Sequence, residues 1–420
     1  MADDRFVLTD AQAEELAATY GTPLYVVDEA TFRSRLQRYR AAFQANWPQI
    51  SLSYASKANS ILAILRIAFE ERYDIDVASE GEFRAALLAG IPAADCHLHG
   101  NAKSLDEIRF ALEQGIEQII VDNFAELETL GNEMTPEHRA RTGLLLRLAP
   151  GVDPKTHRAI STGQADTKFG FNIGDGSALR AVKRTLELGL PLQGYHCHVG
   201  SQLLDPEAQK AGGTQVARFA VHIFYEVGYQ PKFINLGGGL GVAYVHDQNP
   251  MPIEDYCRLV VEAVRAELGE LNPVLTQEPG RSVIAPAGVT VYRVCARKTV
   301  PTPTGPKNYL AVDGGLSDNP RSVMYDAQYE VRAVGVSGEP ALFTVSGKHC
   351  ETDQLFDQIS LPGDIREGNL VQVLCTGAYN ASMASNYNRF LRPACVLLGS
   401  DGAEKVIQKR ETWEQLFARE

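Results

Sequence analysis

No run of 18 apolar residues occurs in this sequence, so no membrane-spanning helix is expected. The first residues, Met-Ala-Asp-Asp-Arg, are acidic and lack the apolar stretch of a signal peptide, which predicts a cytoplasmic protein with no membrane partner. CxxC pairs and zinc-like spacings are also missing. The seven cysteines (Cys96, Cys197, Cys257, Cys295, Cys350, Cys375 and Cys395) are scattered and odd in number, which predicts reduced thiols and no metal. An excess of positive charge is missing as well. The 40 Lys and Arg stand against 52 Asp and Glu, a net charge of −12, and a field of that sign repels phosphodiester backbones, so no nucleic-acid partner is expected. Internal repeats and low-complexity stretches are absent. With 45% hydrophobic and 22% charged residues the composition is that of a globular protein, which excludes disorder, collagen and coiled coil. A chain of 420 residues makes one very large domain or two.

What is present is a rhythm of short apolar strand, loop and helix. Eight strands are predicted at 51–56, 75–78, 96–99, 118–122, 144–148, 194–199, 233–236 and 274–277. Helix-period stretches lie between them. One has Ser79 as N-cap, Glu82 completing a capping box, Phe83, Ala86 and Leu87 on one face, and Gly90 as terminator. Alternation of this kind predicts parallel βαβ units, and eight of them in about 250 residues fit a (β/α)8 barrel. After Pro279 the rhythm becomes β-rich, at 289–296, 308–312, 329–336, 341–346 and 370–375, which predicts a mostly antiparallel second domain. The proline-rich stretch 298–307 reads as a loop or hairpin tip. The division expected is 1–30 as an N-terminal segment, possibly pairing with the C-terminal β domain, 31–279 as the barrel and 280–420 as the β domain. Within 1–30 a short helix is expected, with Asp10 as cap and Gly21 as stop.

Barrel chemistry sits at the C-terminal ends of the strands. Lys57 directly follows the first strand, as either a Schiff-base lysine or a solvated one. Asp76, His99 and Arg147 end three other strands and make a polar mouth, in which Asp76 and Arg147 could pair. His196 and His198 share one strand face, as metal ligands, a packed core pair, or with His198 stacked on a ring. Gly237-Gly238-Gly239 and Glu278-Pro279-Gly280-Arg281 follow the last two strands, where barrels most often cradle a phosphate in backbone N–H groups. A covalent lysine and an anion cradle are the two things pyridoxal phosphate needs. Its ring nitrogen needs a carboxylate, for which Glu278 is placed, unless it makes an ordinary salt bridge. In the second half, Arg281 and Arg321 could each fork onto a carboxylate. Cys350 could deliver a proton, or be a buried thiol.

The ordered motifs YASKAN, DVASEGE, HGNAKS, TKFG, HCHVGSQ, LGGGLG, EPGR, DNPR, CETD and GAYNASMASNYN, running across nearly the whole chain, resemble the diaminopimelate decarboxylases, fold-type III pyridoxal-phosphate enzymes. Departures are small: Ala149 and Ala102 stand where Asn is frequent. The resemblance implies an alanine-racemase-like (β/α)8 barrel followed by the β domain. It implies decarboxylation of meso-2,6-diaminopimelate to L-lysine and CO2, the last step of lysine biosynthesis. A decarboxylase of ornithine, arginine or carboxynorspermidine, or a non-catalytic homologue, is the alternative. It implies Lys57 as the covalent anchor of pyridoxal 5'-phosphate and Cys350 as a second catalytic residue. The cofactor would be held by Asp76, His198, Ser201, Gly238, Gly239, Glu278, Gly280, Arg281 and Tyr379. The amino-acid substrate would be held by Arg281, Arg321, Tyr325, Glu351 and Tyr379. Cys350 and Glu351 would enter from the second subunit of a head-to-tail homodimer. The polar loop His157–Thr167 could close over substrate.

Overall fold

The computed structural model describes residues 4–152, 168–303, 305–352 and 354–420, so the expected closing loop at 157–167 lies outside the described residues. Two compact units form. One comprises Arg35–Val242 and Asn249–Ser282; the other comprises Met1–Ser34, Ala243–Gln248 and Val283–Glu420.

Strand β1 (Leu24–Asp28) belongs to the second of these units. The first unit holds β2 (Ile50–Ala55), β3 (Asp74–Val77), β4 (Cys96–Leu98), β5 (Gln118–Val121), β6 (Gly143–Ala149), β7 (Phe171–Asn172), β8 (Leu192–His196), β9 (Phe233–Asn235) and β10 (Val274–Gln277). Every pairing among them is parallel. Pairing of β10 with β2, Leu275 opposite Ile50, closes an eight-stranded barrel to which the two-residue β7 is an edge addition on β6. The barrel predicted from the strand–helix rhythm is the one that forms.

The helices between the strands start where short polar side chains satisfy their free N–H groups. Ser79, Ser104 and Asn123 accept from Glu82, Glu107 and Glu126 backbone nitrogens. Of these three, Ser104 completes a capping box, whereas Ser79, where one was expected, does not. Glu82 instead turns its carboxylate to the Ala78 amide at 2.7 Å and to the Ser56 hydroxyl at 3.0 Å. That choice ties the end of β3 to the turn after β2.

Ser53 of β2 hydrogen-bonds His97 of β4 at 3.0 Å, across the intervening strand β3. Side chains two strands apart meet only on the inner side of a closed sheet. The barrel interior therefore carries buried polar groups, and His97, Asp76, His196 and Glu278 are all less than one-tenth exposed. Buried polar groups are tolerated only when hydrogen-bonded, so these side chains constrain one another.

The second unit is built on β11 (Gly288–Thr302), β12 (Gly305–Val312), β13 (Val331–Val334), β14 (Pro340–Ser346), β15 (Gln354–Pro362), β16 (Leu370–Leu374), β17 (Ala394–Leu398) and β18 (Glu404–Gln408). The sheet order is β15-β14-β12-β11-β1-β17-β18, with β16 also on β11 and β13 on β16. Most pairings are antiparallel; β1–β17 and β12–β14 are parallel. Of the loop or hairpin tip expected at 298–307, the hairpin end is what forms, with Pro301 opposite Pro306 and Thr302 opposite Gly305. Both prolines sit next to the turn, at the end of the ladder, where a missing N–H disturbs little of it. Thr9, not Asp10, caps the first helix, Asp10–Tyr20, which packs Ala13, Leu16 and Ala17 on Leu24, Val26, Val289 and Val396.

Candidate active site

Lys57 sits in a single 3-10 turn, Ser56–Ala58, at the C-terminal end of β2, exposed while both its neighbours are buried. It lines one cleft together with Asp76, Glu82, His99 and Glu278. The polar mouth expected at the strand ends is present, with a different pairing. Asp76 does not meet Arg147. It lies 3.2 Å from His97 Nδ1 and 3.4 Å from His99 Nε2, whereas Arg147 faces Asp122 at 3.8 Å. Asp76 and the two histidines stand at alternate positions of adjacent strands, so register brings them together.

Glu278 follows β10 and is met by two histidines. His196 Nε2 is 3.2 Å from Glu278 Oε1, and His99 Nε2 is 3.5 Å from the same oxygen. Burial and the neighbouring Asp76 push the Glu278 carboxyl up, but His196 and His99 outweigh them and hold it below the usual carboxylate range. Asp76 behaves likewise: burial raises it, and His99 with His97 bring it down further. Burial pulls His196 below the ordinary histidine value despite Glu278. His198 is pushed well below by burial and by the cations Lys57 and Arg147, so it is neutral at pH 7.

Sequence reasoning left His196 open as a packed core residue and gave His99 no role beyond a polar mouth. Their contacts to Glu278 were missed, although period two on each strand placed both rings on the inner face. Lys103 was also missed. Its ammonium, 2% exposed, donates to Gly100 O at 2.7 Å, Ile120 O at 2.6 Å and Glu126 Oε1 at 2.7 Å. Three protons find three acceptors, which fixes the loop carrying His99.

At the ends of β9 and β10 the backbone packs too closely for side chains. A Cβ on Gly238 would lie 2.3 Å from Glu278 O, and one on Gly237 (φ +65°) would lie 2.5 Å from Cys197 O. Arg281 Nε donates to Ser201 Oγ at 3.0 Å, which joins the segments after β8 and β10. Gly239 and Gly280 complete the glycine series in the same unit.

The other expected residues belong to the second unit. Arg321 is 3% exposed, donates to the Tyr329 hydroxyl, and lies 4.8 Å from the Tyr244 ring and 6.0 Å from that of Tyr325. Its buried Nε has no hydrogen-bond partner among the described residues. Tyr379 is half-buried, with a left-handed backbone at φ 63°. Cys350 and Glu351 are exposed; Glu351 accepts from the Tyr387 hydroxyl, and the Cys350 amide donates to Asn388 Oδ1 at 3.1 Å.

The family "Pyridoxal-dependent decarboxylase, pyridoxal binding domain" matches residues 29–285. The diaminopimelate decarboxylase of Bacillus subtilis is 41% identical over 408 residues, 96% of this chain and 92% of that one. The chain belongs to the diaminopimelate decarboxylase family. Two solved members of the family align over their full fold. The enzyme from M. jannaschii, in complex with L-lysine, gives a TM-score of 0.89 at 32% identity, covering 100% of this chain and 96% of that one. The I148L mutant from Helicobacter pylori, complexed with L-lysine, gives 0.85 at 31% identity, covering 96% and 98%.

The residues present fit the cofactor that the family name implies. Glu278 Oε1 is buried and, although the His196 and His99 nitrogens lie 3.2 and 3.5 Å away, has no aligned hydrogen bond among the described residues, which suits a protonated ring nitrogen. The Gly237–Gly238 turn leaves backbone where a side chain would collide, which suits close approach by an anion. Lys57 shares its cleft with Glu278.

Proposed function

We propose that this chain decarboxylates meso-2,6-diaminopimelate to L-lysine with pyridoxal 5'-phosphate as cofactor. The observation that carries the reading is the shared cleft of Lys57 and Glu278, an amine and a buried carboxylate held anionic by two histidines. When bound, the cofactor supplies the electron sink for the bond broken at the substrate's α-carbon.

The chain's own residues do the rest. The Lys57 amine would be the covalent anchor of the cofactor. Glu278 keeps a proton on the ring nitrogen, since a carboxylate this acidic leaves the proton with its partner. Neutral His198 offers a ring face without adding repulsion to a cationic heterocycle. Arg281, oriented by Ser201, and the amides of the Gly238–Gly239 and Gly280 turns would hold the phosphate. Tyr379 adds a hydroxyl, and Asp76 holds His99 beside Glu278.

Arg321, a guanidinium among tyrosine rings with an unpaired buried Nε, supplies the fork for the distal carboxylate, with Tyr325 beside it. Exposure of Cys350 and Glu351 supports their service to the site of a second copy in a homodimer, Cys350 delivering a proton and Glu351 meeting the distal ammonium.

Mass detection of product from meso-diaminopimelate, its stereoisomers, ornithine and arginine tests this reading. Lysine from the meso isomer is expected; a diamine from ornithine with no lysine rejects it.

A further inference from the structure

The contacts around Glu278 continue past the cleft. They form one line of side chains along the barrel interior, from Glu117 at the start of β5 to Glu278 after β10. Glu117 Oε2 is 3.1 Å from His97 Nε2. His97 Nδ1 is 3.2 Å from Asp76 Oδ1 and 3.0 Å from Ser53 Oγ. Asp76 Oδ1 and Glu278 Oε1 then flank His99 Nε2 at 3.4 and 3.5 Å. His97 is 2% exposed and Glu117 is 38% exposed, so the line runs from the barrel wall's accessible end into its interior. Among the described residues, other ionisable groups facing this line include Asp74 and Asp95 on the His97 side, and His196, His198, Arg147 and Lys57 on the Glu278 side.

The chemistry of the line follows from counting protons. An imidazole with a carboxylate at each nitrogen is favoured as the cation, which alone can donate at both. Burial opposes that charge, but Asp76 and Glu117 outweigh burial and keep His97 protonated well above the ordinary histidine range. Asp76 and Glu278 are two buried carboxylates that share one imidazole. Two such groups without a nearby cation retain a proton between them. A proton held there would cost Glu278 its charge.

We propose that His97, bonded at both ring nitrogens, is a positioning residue for the ring-nitrogen site: with Glu117 behind it, it keeps Asp76 and, through His99, Glu278 anionic. The inference rests on the pyridoxal-phosphate reading of the same site. It assigns a role to two residues, His97 and Glu117, that line no part of the Lys57 cleft. It also explains why a buried cation sits inside a barrel wall where an aliphatic side chain would pack at lower cost.

The test compares two ligands that differ only at the ring nitrogen, pyridoxal 5'-phosphate and its 1-deaza analogue. Apo-enzyme is titrated with each by equilibrium dialysis, for the natural protein and for His97→Asn and Glu117→Gln. Asn keeps a donor toward Asp76 but no charge. Gln at the half-exposed Glu117 leaves the core untouched, which guards against a folding defect at His97. Both variants should bind pyridoxal phosphate about tenfold more weakly, the equivalent of one pKa unit at Glu278, and bind the deaza analogue as well as before or better. Equal weakening toward both ligands in both variants, or no change toward either, overturns the proposal. Failure of the natural protein to bind pyridoxal phosphate overturns the cofactor reading instead.

Discussion

His196 Nε2 lies 3.2 Å from Glu278 Oε1, two buried side chains on strands separated by β9. The pair explains how the Glu278 carboxylate stays ionised inside a barrel. Its charge is stabilised by imidazoles that are themselves fixed by strand register, so the site's electrostatics are a consequence of topology.

Replacing Lys57 by Ala should abolish turnover and the visible absorbance of the lysine-linked cofactor, leaving the melting temperature nearly unchanged because the side chain is exposed. Absorbance spectra and CO2 release check this. Retained turnover would sink the assignment of the anchor.

Replacing Arg321 by Gln should raise KM for diaminopimelate more than it lowers kcat. A charged hydrogen bond to the distal carboxylate is worth about 1.5–3 kcal/mol, roughly ten- to a hundredfold in kcat/KM. An unchanged KM in steady-state kinetics would remove Arg321 from substrate binding.

Replacing Gly238 by Ala places a methyl group 2.3 Å from the Glu278 carbonyl oxygen. The backbone must shift, at about 1–3 kcal/mol, and it must shift at the proposed phosphate cradle. Dialysed protein should lose pyridoxal phosphate faster than the natural enzyme. Equal retention would argue that this turn does not hold the anion.

Replacing Lys103 by Met leaves Glu126, 4% exposed at the side chain, without its cation. Removing one partner of a buried pair costs about 3–5 kcal/mol. Urea denaturation should show that loss, and adding Glu126→Gln should restore part of it; additive losses in the double variant contradict the pairing argument.

Asp318 gives a pH test. Burial pushes its carboxyl from 3.8 up to about 7, although Tyr292 and the Gly315 amide donate to it. The folded state thus holds a proton that the unfolded chain releases above about 4. The stabilisation is complete below that pH and is lost as pH rises through about 7. Asp318→Asn lacks the titration, so the melting temperature of the natural protein should fall relative to the variant between pH 4 and 8. Parallel melting curves across that range would contradict it.

Much of this was legible in residue order. Alternation of strands and helices gave the barrel, and Lys57, Asp76 and Glu278 lie in the predicted unit at the predicted strand ends. The partner of Asp76 was not legible. Sequence spacing shows that residues share a face, but which of Arg147, His97 or His99 is nearest depends on which strands are neighbours after closure. Strands β15 and β18 were missed because polar and charged residues break their alternation, whereas β17, the short apolar run Ala394–Leu398, is recruited by the distant β1. The roles of Lys103 and Glu117 were invisible for a similar reason: each meets its partner across adjacent strands, at separations of 23 and 20 residues that no local pattern encodes.

Strand β1 lies between β11 and β17, so a segment near the start of the chain occupies the middle of a sheet whose other members all come from Gly288 onward. During synthesis, Leu24–Asp28 leaves the ribosome with both hydrogen-bonding edges unoccupied and waits while the entire barrel is translated. The barrel can therefore mature first, whereas the second unit cannot assemble until the last third of the polypeptide has emerged.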